Sequence, residues 1–442
     1  MKAQSAQSVP TSWLREQLAS ISRKLHAADA HKGLLSVVDQ GIVSATAVIS
    51  AVLLTRHTSP AQLGLYSVAL HALALTMAFQ GELVSSPFTI YSPRKSGREL
   101  RQYAGSMIVH QCLLTLVSLC LLISAVGVLM GGIGPRELVG PFSILILAAP
   151  FILFRGFIRQ FSFAQLRNLP LVVAIDLGIG VTQILLVLAL VQLGWLSAGS
   201  IYIVMGLVCF FACLVWVAKQ GQKFEFGVRR TWEDWGFNWK FARWGFIGTL
   251  AGNSMPSILP AVLLVCYGAT ATGKLAACSL IVGVCNTFVV GMANFLTAKS
   301  AQSFEEQGKA GLKRVMFVSV IVFLCTVGTF ATFMVLTGDW LVVLVCGHAY
   351  AGTASITCLL VFAALANSLA VVAGNGLYAI ERPRHNLFAD LATLFPTLAL
   401  TVALIPPFQG FAVAAALLGG NIIGAIVRWE TLRRCLKQIP NQ

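Results

Sequence analysis

Long apolar runs alternate with short polar segments over almost the whole chain. Twelve runs can be distinguished, and each has about the 20 residues that an α-helix needs to cross a bilayer. They lie near 34–55, 62–91, 104–131, 138–157, 169–193, 198–218, 244–267, 273–297, 315–337, 353–377, 387–405 and 411–427. The pattern predicts an all-α polytopic membrane protein with about 12 transmembrane helices.

A faint internal repeat divides these runs into two sets of six. The tetrapeptide Ala-Val-Leu-Leu at 51–54 recurs at 261–264, and an aromatic-Ala-x-x-Arg … Asp-Leu pattern at 163–177 recurs at 378–391. Six spans return the chain to the side on which it began, so the two sets have the same orientation. We therefore expect two six-helix bundles related by a pseudo-twofold axis normal to the membrane, which is a plan of secondary transporters.

The polar segments define the remaining organisation. Residues 1–33 are predicted to be a cytoplasmic amphipathic segment, because the apolar positions between Trp13 and Leu25 follow helical spacing with basic residues among them. Residues 34–218 and 244–427 are the predicted bundles, and 428–442 is a cytoplasmic tail. Basic and aromatic residues interleave in 219–243, which predicts a cytoplasmic linker anchored at the membrane interface.

Composition and charge support a membrane protein and give its orientation. Charged residues make up 11% of the chain and apolar residues 57%, whereas a soluble globular domain has about 25% charged residues. Of the 31 lysines and arginines, 28 lie in or beside the segments on the side of the N-terminus and 3 on the other side. By the positive-inside rule both termini are cytoplasmic, in the cytoplasmic membrane. The net charge of +15 then indicates anionic membrane lipids as partners and no nucleic acid.

Sequence signatures of soluble catalysis are absent. The chain has no GxxxxGK[ST] loop for ATP phosphates, no HExxH and no CxxC pair. We therefore expect no enzyme, no catalytic residue, no metal site and no cofactor.

Polar residues at membrane depth are the candidate binding residues. A charge at the bilayer centre costs about 2.5–3.5 kcal/mol, so such residues are functional candidates by default. Acids near a span end can instead reach headgroup water or pair with loop arginines, and amides can simply join helices. The substrate-cavity candidates are Asp39, Arg56, Glu82, Asp176, Gln183, Asn253, Asn286, Asn367 and Asp390, and Arg94, Lys95 and Arg98 are candidates for binding a phosphate at the cytoplasmic mouth.

Three segments resemble a known transporter family. Residues 51–67, with Leu-Leu-Thr-Arg followed by Ser-Pro-Ala-Gln-Leu-Gly-Leu-Tyr, are similar to the opening of the polysaccharide-transporter family. This family is a branch of the multidrug/oligosaccharidyl-lipid/polysaccharide exporter superfamily. Residues 344–352 resemble its Leu-Phe-Gly-x-x-Tyr-x-x-Ala element, with Cys346 in place of the usual Phe. Residues 376–383 resemble its leucine-alanine-glycine-arginine turn, with Glu381 where Gly is common.

The resemblance implies a V-shaped flippase. Such a protein moves polyprenyl-pyrophosphate-linked oligosaccharide from the inner to the outer leaflet by ion-driven alternating access, for O-antigen, capsule or exopolysaccharide synthesis. A proton or sodium gradient as the energy source is implied only by this family resemblance of three segments. A polysaccharide polymerase or chain-length machinery is then an expected partner. The family has no invariant catalytic residue to transfer onto this chain.

Other functions compete with the flippase interpretation. The main alternative is a multidrug or small-solute ion antiporter of the same superfamily. A major facilitator is disfavoured because the loop at 92–98 lacks the beginning of that signature. A membrane enzyme that polymerises or ligates lipid-linked glycans is disfavoured because the outer loops are short.

Overall fold

The computed structural model describes residues 38–164, 169–220, 224–252, 254–382 and 384–439, and these residues form helices and short connections without a strand. The predicted amphipathic helix before residue 26 lies outside the described residues. The helices are α1 (Val38–His57), α2 (Pro60–Gln80), α3 (Ser86–Tyr91), α4 (Gly97–Met130), α5 (Val139–Ala164), α6 (Leu169–Gln192), α7 (Ala198–Gln220), α8 (Val228–Gly252), α9 (Ser254–Phe323), α10 (Thr329–Cys346), α11 (Ala354–Ala379) and α12 (Arg384–Gln438). A π-helical turn, Gly81–Ser85, joins α2 to α3.

Eleven helical stretches among the described residues are long and apolar enough to cross a membrane. One of them, Val228–Thr297, has 70 residues and would span about 100 Å if straight, three times the thickness of the bilayer core. It breaks at Gly268, whose φ of 79° lies in the left-handed region that favours glycine. The break falls between the seventh and eighth predicted spans, so the expectation of an all-α protein with about 12 spans is confirmed.

The linker differs in detail from its prediction. Residues 228–252 form the single helix α8, so the expected boundary between linker and second bundle at 243/244 falls inside a helix. No proline interrupts this segment, and buried residues recur along one stripe from Thr231 to Ala251. That stripe packs against α4 and the π-helical turn of the first half, and the end of α8 reaches α12 of the second half. The second part of the predicted linker and the first part of the seventh predicted span therefore belong to one helix.

Buried apolar side chains form three cores, one shared by the two halves and two built mainly from one half each. The largest core joins both halves and includes Leu54 and Tyr66 of the first half with Leu263 and Val342 of the second. The other two cores lie at the opposite ends of the helices, near the basic loops, one built mainly from the first half and one from the second. We call these two ends the seal side and the basic side. The halves share one core on the seal side, whereas each has a separate core on the basic side.

Two contacts close the seal side. The backbones of α2 and α9 touch at Gly64 and Gly273, where a Cβ on Gly64 would lie 2.1 Å from the carbonyl oxygen of Ala269 and one on Gly273 would lie 1.8 Å from that of Pro60. Arg56, at the end of α1, donates to the backbone carbonyls of Leu344 and Val345 at the end of α10. These carbonyls belong to the last turn of a helix and have no partner within it. Both contacts join the first half to the second.

Candidate functional site

Four charged side chains form a cluster within the first half. Asp39 of α1 and Asp176 of α6 face Arg155 and Arg159, which lie one turn apart on α5. Arg155 Nη2 is 2.5 Å from Asp176 Oδ1, and Arg159 Nε is 3.2 Å from Asp176 Oδ2. Arg159 also pairs with Asp39, whose side chain is fully buried. Two acids and two bases leave the cluster neutral, which lowers the cost of holding charges at membrane depth.

A small cavity of about 90 Å³, with a mostly apolar lining, adjoins this cluster. Thr46, Arg155, Asp176 and Gln183 contribute polar atoms to its lining, and Gln183 Nε2 donates to Ser50 Oγ at 3.2 Å. Pockets that bind organic ligands have volumes of about 300–1,000 Å³, whereas one water takes up about 30 Å³. The cavity has room for a few waters or a small cation and is too small for an organic substrate.

The second half contains a corresponding acid. Asp390, which follows the repeated Arg-containing turn as Asp176 does, pairs with Arg428 in the part of α12 beyond its break at Gln409. Gly252 at the end of α8 packs against this carboxyl group, since a Cβ there would lie 3.3 Å from Asp390 Cγ. The two halves thus share the position of the acid but use arginines from different helices.

Glu82 lies at the junction between the halves. It is in the π-helical turn Gly81–Ser85, a local irregularity that recurs at functional sites. Thr249 Oγ1 of α8 is 3.5 Å from Glu82 Oε1, and a Cβ on Gly245 would lie 2.0 Å from Glu82 Oε2. Asp39, Asp176 and Asp390 each pair with arginine. Within the described residues, Glu82 is the intramembrane acid without an arginine partner.

The three predicted phosphate-binding residues at the mouth have other partners. Lys95 Nζ is 2.5 Å from Glu99 Oε1, and Arg98 Nε is 2.9 Å from Glu225 Oε2. Arg94 lies over the ring of Tyr91, 5.7 Å from its centroid. The Arg98 guanidinium, assisted by that of Arg101, holds the pKa of Glu225 below its usual value. A phosphate group that binds Arg98 would have to compete with the charge of Glu225, and the phosphate-binding role of these residues stays a prediction.

The remaining candidates do not join one site. Arg56 lies on the seal side, away from the acids. Asn286 is exposed and Asn367 half-buried, and neither makes a hydrogen bond among the described residues. Asn253 lies outside the described residues.

The sequence prediction missed the arginines that pair with the acids. Arg155, Arg159 and Arg428 were counted among the basic residues that set the topology. A signal for two of them existed, because Arg155 and Arg159 have i, i+4 spacing next to an apolar span and so share one helix face. Two arginines on one face require acids opposite them if they lie in lipid, and the intramembrane acids of the first half are Asp39, Glu82 and Asp176.

Solved structures provide the comparison for this architecture. The chain matches an inward-facing multidrug resistance MATE family transporter of the MOP superfamily with a TM-score of 0.74, over 89% of this chain and 94% of that chain, at 12% identity. It matches an outward-facing one with a TM-score of 0.64, over 92% and 94%, at 11% identity. The fold is that of MATE transporters. A MOP superfamily transporter from Pyrococcus furiosus, described as having a binding pocket of reverse polarity that suggests a different function, gives 0.63, over 92% and 94%, at 12% identity. No family model matches the sequence, and no curated protein is similar to it.

The matched structures can be compared with the predicted transporter family and with the side on which the two halves are separated. The MATE fold is compatible with the expected exporter superfamily, and membership of that superfamily and of its polysaccharide-transporter branch both stay predictions. The match to the inward-facing MATE structure is closer than that to the outward-facing one. This agrees with a MATE fold whose halves share a core on the seal side and have separate cores on the basic side.

Proposed function

We propose that this chain is an ion-coupled, alternating-access transporter of amphipathic organic solutes, with its basic side in the cytoplasm. The observation that supports this most directly is the neutral Asp39–Arg159–Asp176–Arg155 cluster beside a cavity too small for such a solute. In a fold shared with multidrug transporters, a charged site without room for the substrate is suited to the coupling ion. The substrate then binds elsewhere, between the halves.

Coupling follows from the balance of charge in the cluster. While both carboxylates are ionised, the two arginines bind them and hold α1, α5 and α6 together. Protonation of one carboxyl, or entry of a sodium ion at Asp176, leaves an excess positive charge that the site must relieve by moving an arginine. A movement of α1 or α5 is therefore linked to occupancy of this site.

Transport in proteoliposomes tests the coupling site. Purified protein is given an outward organic-cation gradient and an opposing proton or sodium gradient, and ion movement is recorded with an internal pH or sodium dye. We expect Asp176→Asn and Asp39→Asn to abolish ion movement driven by the solute, because neither amide takes up a proton or carries charge. Glu137→Gln, which changes an exposed acid in the Arg136–Leu138 turn, is the matched control. Unchanged coupling in Asp176→Asn would refute the assignment.

A second function, flipping of lipid-linked oligosaccharide, is favoured by a different observation. Three of the four intramembrane acids are neutralised by arginine, so little negative charge is left for an organic cation. A pocket of about 250 Å³ beside the π-helical turn is lined by the hydroxyl and amide side chains Ser85, Ser86, Thr89 and Gln160. Ser85 Oγ is buried there without a partner among the described residues. Hydroxyl and amide groups bind sugars well.

Gene deletion separates the two functions. If the chain exports organic solutes, the deletion strain becomes more sensitive to cationic and amphipathic compounds and keeps its surface glycan. If it flips lipid-linked glycan, that glycan accumulates on the inner leaflet and drug sensitivity is unchanged. Complementation with Ser85→Ala then tests the pocket, since a smaller flipping rate with normal expression is expected only in the second case.

A further inference from the structure

Two arginines from distant parts of the chain lie against one tryptophan on the basic side. The guanidinium carbon of Arg243 in α8 is 5.6 Å from the ring centroid of Trp244, and that of Arg384, the first residue of α12, is 5.9 Å from it. Lys240 lies one turn before Trp244 on the same helix. All of these side chains are exposed. The fold therefore concentrates positive charge around a single exposed ring.

Neither arginine has an acidic partner among the described residues. Glu82 packs against Gly245, two residues after Arg243, and Glu381 lies three residues before Arg384. Neither acid forms an ion pair with Arg243 or Arg384. Several other arginines of the basic side have acidic partners: Arg98 and Arg101 pair with Glu225, Arg229 with Glu233, Arg230 with Asp234 and Arg434 with Glu430. The Arg243–Trp244–Arg384 cluster instead holds two arginines without an ion pair among the described residues against a single ring.

Physical chemistry indicates what neutralises such a cluster. Like charges held beside one ring repel each other, and the cation–π contact returns only about 0.5–1 kcal/mol at an exposed site. Guanidinium groups bind phosphate oxygens with directed hydrogen bonds, often two at a time. Exposed tryptophan is typical of the interface where lipid head groups lie. The surrounding exposed Phe237, Trp239, Phe241 and Ile247 of α8 provide apolar surface for acyl chains.

We propose that Arg243, Trp244 and Arg384 form a binding site for the phosphate head group of an anionic phospholipid of the inner leaflet. The two guanidinium groups bind the phosphate, and the indole ring packs against the glycerol and upper acyl region. Because the site joins α8 to the start of α12, the bound lipid connects the linker helix to the second half. This site is separate from the acidic cluster, and the proposal holds whichever solute is transported.

Native mass spectrometry of the full chain in detergent tests the site. The protein is titrated with dioleoyl phosphatidylglycerol, with dioleoyl phosphatidylcholine, and with inorganic phosphate as competitor. Basic residues at an anionic surface contribute enough that each removal weakens binding roughly fivefold. We expect Arg243→Gln and Arg384→Gln each to weaken phosphatidylglycerol binding by about that factor, and the double variant by roughly 25-fold. Arg229→Gln, on the same helix but paired with Glu233, removes the same charge and is the matched control.

A second measurement does not depend on the arginine variants. Phosphatidylglycerol brominated in its acyl chains is added to the native protein and to Trp244→Phe, and the loss of tryptophan fluorescence is compared. We expect quenching by the brominated lipid to be smaller in Trp244→Phe, whereas brominated phosphatidylcholine quenches both proteins alike.

Several results would overturn the proposal. Equal weakening by Arg229→Gln would indicate general surface attraction without a site. Competition by millimolar inorganic phosphate would show that free phosphate occupies the site. Equal binding of phosphatidylcholine would show that the site does not select an anionic head group. Binding of a polyprenyl diphosphate, with no binding of phosphatidylglycerol, would replace the phospholipid by a substrate.

Discussion

The glycine contact on the seal side yields the sharpest prediction. In Gly273→Ala the new Cβ would lie 1.8 Å from the carbonyl oxygen of Pro60 and 2.6 Å from its carbonyl carbon. Ordinary contacts begin near 3.4 Å, so α2 and α9 must separate by about 1.5 Å. The obstructing atoms are backbone, and no side-chain rotation removes the clash. We expect the sealed arrangement to be destabilised relative to one in which the two helices part.

The magnitude follows from the cost of overpacking. An extra methyl group in a tightly packed contact costs about 1–3 kcal/mol, and each 1.4 kcal/mol is a tenfold change in an equilibrium. The population open on the seal side should therefore rise by roughly five- to 140-fold. Elsewhere in a helix, alanine is favoured over glycine by about 1 kcal/mol. This gain is the same in the sealed and the open arrangement, so a control substitution without a clash should leave the open population unchanged.

Cysteine labelling measures this population. Cys346 is fully buried and lies beside Thr55 of the first half, so opening of the seal exposes it. With the ten other cysteines replaced, a membrane-impermeant maleimide should label Cys346 about five- to 140-fold faster in Gly273→Ala. Gly283→Ala is the matched control, because it lies on the same helix with no atom within 4 Å of the added Cβ. Unchanged labelling of folded Gly273→Ala, or equal acceleration in Gly283→Ala, would refute the reasoning.

Two further predictions concern the packing of α8 and its preceding loop. Tyr103→Phe removes the buried hydroxyl that donates to Asn238 Oδ1 at 2.9 Å. We expect the free energy of unfolding to fall by about 1–3 kcal/mol, which is measured as a lower unfolding temperature. Tyr378→Phe, which changes an exposed ring, should leave the free energy of unfolding unchanged. Glu225 pairs with Arg98 and Arg101, which lower its pKa in the folded protein. The stability that this carboxylate gives to the folded loop is therefore fully present above the unfolded pKa of about 4.3. That stability is lost as the pH falls through the lower pKa of the folded protein. Proteolysis of the loop at 224–227 should accordingly be slow at pH 7 and accelerate only below about pH 4. In Glu225→Gln the loop should be cleaved fast at both pH values. A rate of cleavage in the native protein that does not change with pH would contradict this.

Much of the fold was predictable because lipid imposes simple rules. A span needs about 20 apolar residues, and the 12 runs follow that rule even at Gly268, where the break between the seventh and eighth spans is a single residue of non-helical backbone. The end of the linker was not predictable in the same way. An interfacial helix and a span have different composition, yet nothing between Arg243 and Trp244 stops a helix, and α8 passes through that point.

The candidate site was predictable as a set of acids but not as pairs. Asp39, Asp176 and Asp390 were found because intramembrane acids are costly and therefore rare. Their arginine partners were not, since a basic residue near a span end serves equally well as a topology signal. Which of Arg155, Arg159 and Arg428 turns inward depends on helix rotation, and the asymmetry between Asp176–Arg155 and Asp390–Arg428 shows that the repeat does not determine it.

The unbroken helix α8 makes the lipid environment part of the working cycle. Its exposed Trp232, Phe237 and Trp239 are on the same rigid rod as Gly252, which packs against Asp390. In the proposed transport cycle, a tilt of one half against the other moves these aromatic side chains within the head-group layer, because α8 contacts both halves. We therefore expect bilayer stiffness and thickness to resist that movement, so that the proposed turnover depends on the fluidity of the membrane.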